Sequence, residues 1–466
     1  MRKLTFLFLF FVLLAVGSIA VFRASTLVSW QASIAPVAAA KLDSAAAIMQ
    51  LSKAIQCETT AGHQRGFGIF WTLVSNSFPK LHQQPTLSIA EYNEHTAIYK
   101  WAGRQNTLPA IVLVAEFDVP EPSLSRLIDW KYNPFLGKVD DGYIWGAGTM
   151  RGKTNLMAIF AALEELAKSG FVPQRTIFLI AMHDGHQLDK PTMQQIAAEM
   201  QGLKIPIQHI LAAGSPIQAQ ILGNNKAAAV VSVAAQQQSG LRLTVAKGDT
   251  SWLAAIDKIG KLQPPMDIAA TSNAYFLDYI APELGFGQKL IFTNRYLASS
   301  YLKNQLEQSP RLLAANSMQL AMRIAEGNND SSYIFLRLSL GAQGDIYQLQ
   351  SQAVALLQAD SINYIATYIL PTNTVAAQQS KGFELIHTTI KQTLGDVLAL
   401  PAGADAPNLA AFLGYSPNVP VLEFSPLHCK DGDYQRLISG IDERISVGNY
   451  FEMIRFYMQY LRNADI

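Results

Sequence analysis

The chain has 466 residues, half of them apolar, and balances 36 Lys+Arg against 35 Asp+Glu for a net charge of +1. That length and apolar share supply more core than one ordinary domain needs, so two domains are expected. A near-neutral chain without a basic block excludes electrostatic nucleic-acid binding, and its two cysteines, Cys57 and Cys429, sit in no Cys/His cluster of the kind that builds a thiolate zinc site.

In chain order, Met1-Arg2-Lys3 is basic, and residues 4–22 form an uncharged, almost wholly apolar run that ends at Arg23. About 19 residues at 1.5 Å rise nearly match the roughly 30 Å hydrocarbon core. Positive charge at the start favours leaving that end in the cytoplasm and exporting the rest. Residues 1–23 are therefore expected to be a signal anchor that holds an extracytoplasmic body on a membrane. The alternative is a signal peptide cleaved at the small-x-small site Ser18-Ile19-Ala20, which gives a secreted or periplasmic protein. Residues 24–41 are Ala/Ser-rich and weakly patterned, as a tether would be. Apolar residues at helical spacing over 42–55 open the folded body.

Next comes a βαβ rhythm. Residues 111–115 are a continuous apolar run, as in a strand buried on both faces. Over 154–169 Leu156, Ile159, Phe160, Leu163 and Leu166 share a helix face, and Gly170 follows as a stop. A strand is expected at 176–182, a helix through 196–200 and a strand at 228–233, which together argue for an α/β sheet with helices on both faces. Near Ser239 the pattern changes: 241–246 and 333–340 alternate, while 251–262 and 346–357 read as helices. From about Ile362 the chain returns to the larger unit, and it ends in an amphipathic helix over 450–461.

Three stretches carry chemistry: VLVAEFDVPEP (112–122), DDGYIWGAGTMRGK (140–153) and FLIAMHDG (178–185). Their order and spacing resemble the zinc-dependent amidohydrolase and metallopeptidase family of aminoacylase, Gly-X carboxypeptidase and succinyl-diaminopimelate desuccinylase. The membrane-anchored Gly-X carboxypeptidase and N-acyl-amino-acid hydrolase branch is the nearest, and the likeness runs roughly over residues 42–463. It implies a catalytic-type domain, a mixed sheet with helices on both faces, from residues 42–238 and 367–466. An α+β lid or dimerisation domain, residues 239–366, is inserted between the two parts. It also implies two zinc ions joined by a bridging carboxylate, with a Glu as base for the attacking water.

Inside that frame the chemistry-bearing positions differ. The ligand His of the first motif is Glu116, although its supporting Asp is kept as Asp118. The bridging Asp falls on Arg151. In Met182-His183-Asp184-Gly185-His186 the base position is Gly185, and the neighbouring metal-binding Glu is His186. The ligand Asp after the next short strand is Ala212, and the His before the GIDERISV run is Ser439. The lid motif Gly-His-Ser-Ser reads Gly248-Asp249-Thr250-Ser251, and Asp405 stands in a degraded Gly-Thr-Asp-Ser-Arg-His run. No catalytic residue is expected to be intact. Metal positions Glu116, Arg151, His186, Ala212 and Ser439 read as degenerate, and Glu116, Asp118, Arg151, Asp184, Asp249 and Asp405 are expected around the old cleft. No cofactor is expected from these residues; zinc is implied by the resemblance alone.

Arg151 is expected in the cleft near Asp118 or Glu116, its guanidinium replacing the missing metal charge, since sheltered anions without a counter-charge are costly. Three functions stay open: a non-catalytic protein that binds a peptide, an N-acyl amino acid or a partner in the cleft; a hydrolase with a rebuilt or metal-independent site; and a structural partner, as a homodimer or paired with an intact homologue.

Overall fold

The protein is described here from a computed structural model. It describes residues 2–92, 95–122, 124–150, 152–183, 191–219, 221, 224–234, 237–262, 272–295, 298, 301, 304, 318–326, 330–340, 345–370, 379–403, 419–429, 437–438 and 440–465. Of the expected site residues, Arg151, Asp184, Gly185, His186, Asp405 and Ser439 lie outside the described residues.

The first half contains helices α1 (Arg2–Ser25), α2 (Ser44–Gln56), α3 (Gln64–Ser77), α4 (Pro79–His82), α5 (Gly152–Lys168) and α6 (Pro191–Gly202). Its strands are β1 (Leu87–Tyr92), β2 (Thr96–Trp101), β3 (Ala110–Glu116), β4 (Val139–Asp140), β5 (Tyr143–Trp145), β6 (Ile177–Met182), β7 (Ile207–Ala212), β8 (Ile217–Gln218) and β9 (Ala228–Ala234). Then follow β10 (Gln237–Ala246), α7 (Trp252–Gly260), α8 (Ser272–Ile280), α9 (Phe286–Thr293), β11 (Gln319–Glu326), β12 (Ser331–Leu340), α10 (Ile346–Ala359) and β13 (Asn363–Leu370). The last stretch holds α11 (Lys381–Leu394), β14 (Leu398–Gly403), β15 (Val421–Glu423), β16 (His428–Cys429), β17 (Arg444–Ser446) and α12 (Val447–Ala464).

One large mixed sheet runs β1-β2-β6-β3-β7-β15-β9-β8-β16, with β14 also paired to β9. Its centre, β6-β3-β7-β15, is parallel, and the β1-β2 hairpin closes one side antiparallel. The continuous apolar runs form central strands because helices cover both faces. Ile111, Leu113 and Ala115 face one core with Leu156, Phe160 and Tyr457, whereas Val112 and Val114 face the other with Ile196 and Met200. Helix α5 is buried along most of its length, and its N-terminus opens at the ends of β3 and β6, where such folds place their sites.

A second sheet, β11-β12-β10-β13, is wholly antiparallel. Helices α7 and α10 cover one face: Leu241, Leu243, Ile334, Leu336 and Leu338 pack against Trp252, Ile259, Leu349 and Leu357. This sheet begins at Gln237 and its last strand ends at Leu370, bounds slightly wider than residues 239–366. Helices α8 and α9 fall inside that interval yet pack elsewhere. Phe276, Leu277, Ile280 and Phe292 bury against Val230 of β9 and Leu398 and Leu400 of β14, in the large sheet.

Residues 26–43 contain no helix or strand, but they do not form the loose tether that their composition suggests. The Gln31 side chain both donates to the Ala399 carbonyl and accepts from the Ala399 N–H, at 3.0 and 2.9 Å. The Ala32 N–H donates to His387 Nε2, the Val37 N–H to the Gln392 carbonyl, and Arg455 Nε to the Ala40 carbonyl. These residues form a strap across the large domain. Each of these hydrogen bonds uses a backbone group on at least one side, and backbone groups leave no mark in residue type.

Candidate functional site

The site region begins where β3 ends and α5 starts. Glu116, the last residue of β3, is half-buried, and the next acid, Asp118, is 9% exposed. The chain then returns through a turn in which Gly148 has φ +93°, a conformation that a β-carbon disfavours. At Gly152 the backbones of α5 and β3 nearly touch: a β-carbon there would lie 2.2 Å from the Glu116 carbonyl oxygen.

Lys153, the second residue of α5, is fully buried. Its Nζ donates to the Cys57 carbonyl at 2.9 Å. Burial pushes the ammonium down to about 8, against the opposing pull of the Cys57 thiol, Asp118 and Glu443. Glu443, 2% exposed, accepts from the Met150 N–H at 2.6 Å and so pins the turn before α5 to the strand region near the carboxyl end. Sequence reasoning passed over Lys153 and Glu443; the signal available was a lysine and a glutamate inside the two most family-like stretches.

Across the sheet, Ala212 ends β7 and is 5% exposed. Its strand neighbours are Val114 on β3 and Glu423 on β15. Glu423 is a buried carboxylate that the sequence reading also missed, although it interrupts the apolar run Val421-Leu422-Glu423-Phe424. A β-carbon at Gly214 would lie 2.6 Å from the Glu423 Cβ, so the loop after β7 folds tightly over that side chain.

Two further residues have local structural partners. His183 Nδ1 pairs with Thr96 Oγ1 at 2.6 Å, and its ring meets Phe67 and His95 edge-on. Asp249 is exposed in the turn before α7, where its carboxylate accepts from the Ser251 N–H and hydroxyl at 2.8 and 2.9 Å. Those hydrogen bonds, the backbone one foremost, hold Asp249 below the usual carboxylate range. Cys57 and Cys429 are both buried.

Of the positions where the resemblance implies metal ligands, Glu116 and Ala212 are among the described residues; Ala212 has no donor atom, and the field of Asp118, two residues beyond Glu116, is met by the Lys153 ammonium. Among the described residues, no three His, Cys, Asp or Glu side chains converge in a way that could hold a metal ion. Beside the turn, a cavity of about 320 Å³ is lined by Tyr143, Met150, Leu437 and Ile445, with Arg444 and His428 as its charged and titratable walls. The Arg444 guanidinium lies over the Trp145 ring, 4.6 Å from its centre. Burial lowers His428, opposed by Glu452, whose carboxylate is 3.5 Å away.

A profile of peptidase family M20/M25/M40 matches residues 117–463. The probable carboxypeptidase S-like 2 of Dictyostelium discoideum is 27% identical over 419 residues, covering 85% of this chain and 79% of that protein. The human N-fatty-acyl-amino acid synthase/hydrolase PM20D1 is 23% identical over 420 residues, covering 85% and 81%. Among solved structures, an M20 family metallo-carboxypeptidase from Sulfolobus solfataricus superposes with a TM-score of 0.62 at 12% identity, covering 89% of this chain and 98% of that one. Human carnosine dipeptidase 1 gives 0.61 at 11%, covering 90% and 97%. The structural matches establish the shared fold, and with the motifs around Asp118, Lys153 and Glu443 and a profile that spans most of the chain, this protein belongs to peptidase family M20/M25/M40.

Proposed function

We propose that this chain is a non-catalytic member of its family that retains the cleft as a binding site. The observation that carries the proposal is Ala212, a buried residue between Val114 and Glu423 where the family resemblance places a metal-ligating carboxylate. The sequence adds Arg151, a permanent cation, at the bridging position, and Gly185, without a side chain, at the base position. Losing a general base alone costs about 10²–10⁴ in rate, and losing the metal removes the Lewis acid and the activated water together. Zinc enters through kinship only: the Sulfolobus relative is a metallo-carboxypeptidase by name.

The proposed ligand is a peptide or an N-acyl amino acid, the latter in keeping with the names of the PM20D1 relatives. The cavity beside Met150 and Leu437 has apolar walls and the Arg444 guanidinium, a combination suited to an acyl chain or apolar side chain that ends in a carboxylate. In the same reading, the second sheet with α7 and α10, the part of residues 239–366 that does not pack on the large sheet, is a lid that pairs with a second copy or an intact homologue. Residues 4–22 anchor the body outside the cytoplasm, through the apolar helix α1.

The test is metal content of the purified full-length protein, with dipeptide and N-acyl-amino-acid hydrolysis assayed on the same sample and calorimetric titration of those compounds. Binding without turnover and without stoichiometric zinc is expected. Near-equimolar zinc with chelator-sensitive cleavage would overturn the proposal in favour of an active hydrolase with a rebuilt site.

A further inference from the structure

Helix α1 leaves the body almost bare: residues 3–19 are exposed, while Ala20 and Ala24 are buried against the globule. At that junction Asn294, just past α9, donates its side-chain amide to the Ala20 carbonyl, inside the apolar run itself. The strap is held from its first residues. Ser29 hydrogen-bonds the Glu283 carboxylate, Trp30 stacks on Tyr279 with ring centres 5.6 Å apart, and Gln31 grips Ala399. A free coil spanning residues 24–41 would let the body drift by roughly 20–25 Å; here no slack remains between the apolar helix and the globule.

The surface around the helix exit has a matching character. A groove of about 410 Å³ runs along Arg23, Leu27, Val28, Trp30 and Thr293. Val28 is 77% exposed and Trp30 60%, and Phe286, at the start of α9, is 54% exposed. Phe286 lies within one short helix, about 12 Å, of the contact with Ala20. A cation, a tryptophan and exposed apolar residues ringing the point where an apolar helix emerges are what a water–membrane interface selects.

We infer that the body is seated directly on a lipid surface, with this groove and the first turn of α9 in the headgroup layer. The inference rests on the reading of α1 as a membrane anchor. It adds that the strap fixes the height and tilt of the globule, and therefore the direction in which the cleft opens relative to the bilayer.

Site-directed fluorescence tests it on the full chain, since Cys57 and Cys429 are buried and leave an introduced cysteine as the reactive one. Leu14→Cys, Phe286→Cys and Ile365→Cys are labelled with the same dye and reconstituted into phosphatidylcholine/phosphatidylglycerol vesicles that carry nitroxide on the acyl chain or on the headgroup. Ile365, 51% exposed in the second sheet, serves as the remote control. Expected are acyl-chain quenching at 14, headgroup quenching at 286 and full emission at 365. Quenching at 14 with full emission at 286 overturns the seated body and leaves the anchor standing. No quenching at 14 removes the anchor, and the seated body with it.

Discussion

The Lys153 ammonium donates to the carbonyl oxygen of Cys57 where neither residue has access to bulk water. A charged group in that position is tolerated because Asp118 and Glu443 face it, and it still sits well below its ordinary pKa.

That depression has a sign. With the folded value near 8 and the unfolded value near 10.5, the unfolded chain binds more protons between those limits. Stability contributed by this residue therefore rises with pH across the window, by about 3 kcal/mol in all. Denaturant unfolding of wild type and Lys153→Met at pH 7.5 and 10 checks this: the wild type should gain on the variant as pH rises. A constant difference refutes the buried-ammonium account.

Glu164 is 2% exposed and accepts the N–H groups of Lys80 and Leu81 at 3.2 and 2.8 Å, satisfying the first turn of α4. Glu164→Ala should destabilise by about 2–3 kcal/mol, since it strands donors that were paired to a charge. Thermal unfolding measures it, and a change below half that size would show water replacing the carboxylate.

Asn155 Oδ1 accepts from both Ser425 and Tyr457 hydroxyls at 2.8 Å, joining α5, α12 and the loop after β15. Asn155→Leu leaves two buried hydroxyls without that acceptor and should cost about 2–4 kcal/mol, whereas Tyr457→Phe removes one bond and should cost about 1 kcal/mol. Equal losses in the two variants would contradict this assignment.

Ala212→Asp, a return to the residue type that the resemblance places there, should not bring back catalysis. It adds a carboxylate beside the buried Glu423 and should destabilise by about 3 kcal/mol or more. Melting curves with and without zinc decide: a variant stabilised by the metal would mean that the remaining ligands can still assemble. For the wild type, dialysis against a chelator should leave the melting temperature unchanged.

The parts of this fold legible in sequence are those whose side chains report their own burial. The β3 and β6 runs are apolar without alternation because both faces are covered, and α5 carries its stripe of Leu156, Phe160 and Leu163 because it lies beneath the sheet. Helices α8 and α9 have equally apolar faces, but residue type does not tell which of two sheets those faces meet. The hairpin β1-β2 escaped notice because β1 is an edge strand with mostly exposed residues. Of the site, the motif frame and the identities at Glu116 and Ala212 could be read directly. The opposition of Lys153 to Asp118 and Glu443 could not, since it joins residues almost three hundred positions apart in the chain.

The near-contact of α5 with β3 at Gly152 also couples the two elements mechanically. Any side chain at 152 has to push the Glu116 carbonyl aside before it can be accommodated. A change at that position is therefore felt at the end of β3, and a shift of β3 is felt at the first turn of α5. Strand end and helix start behave as one stiff joint, closed by a single glycine.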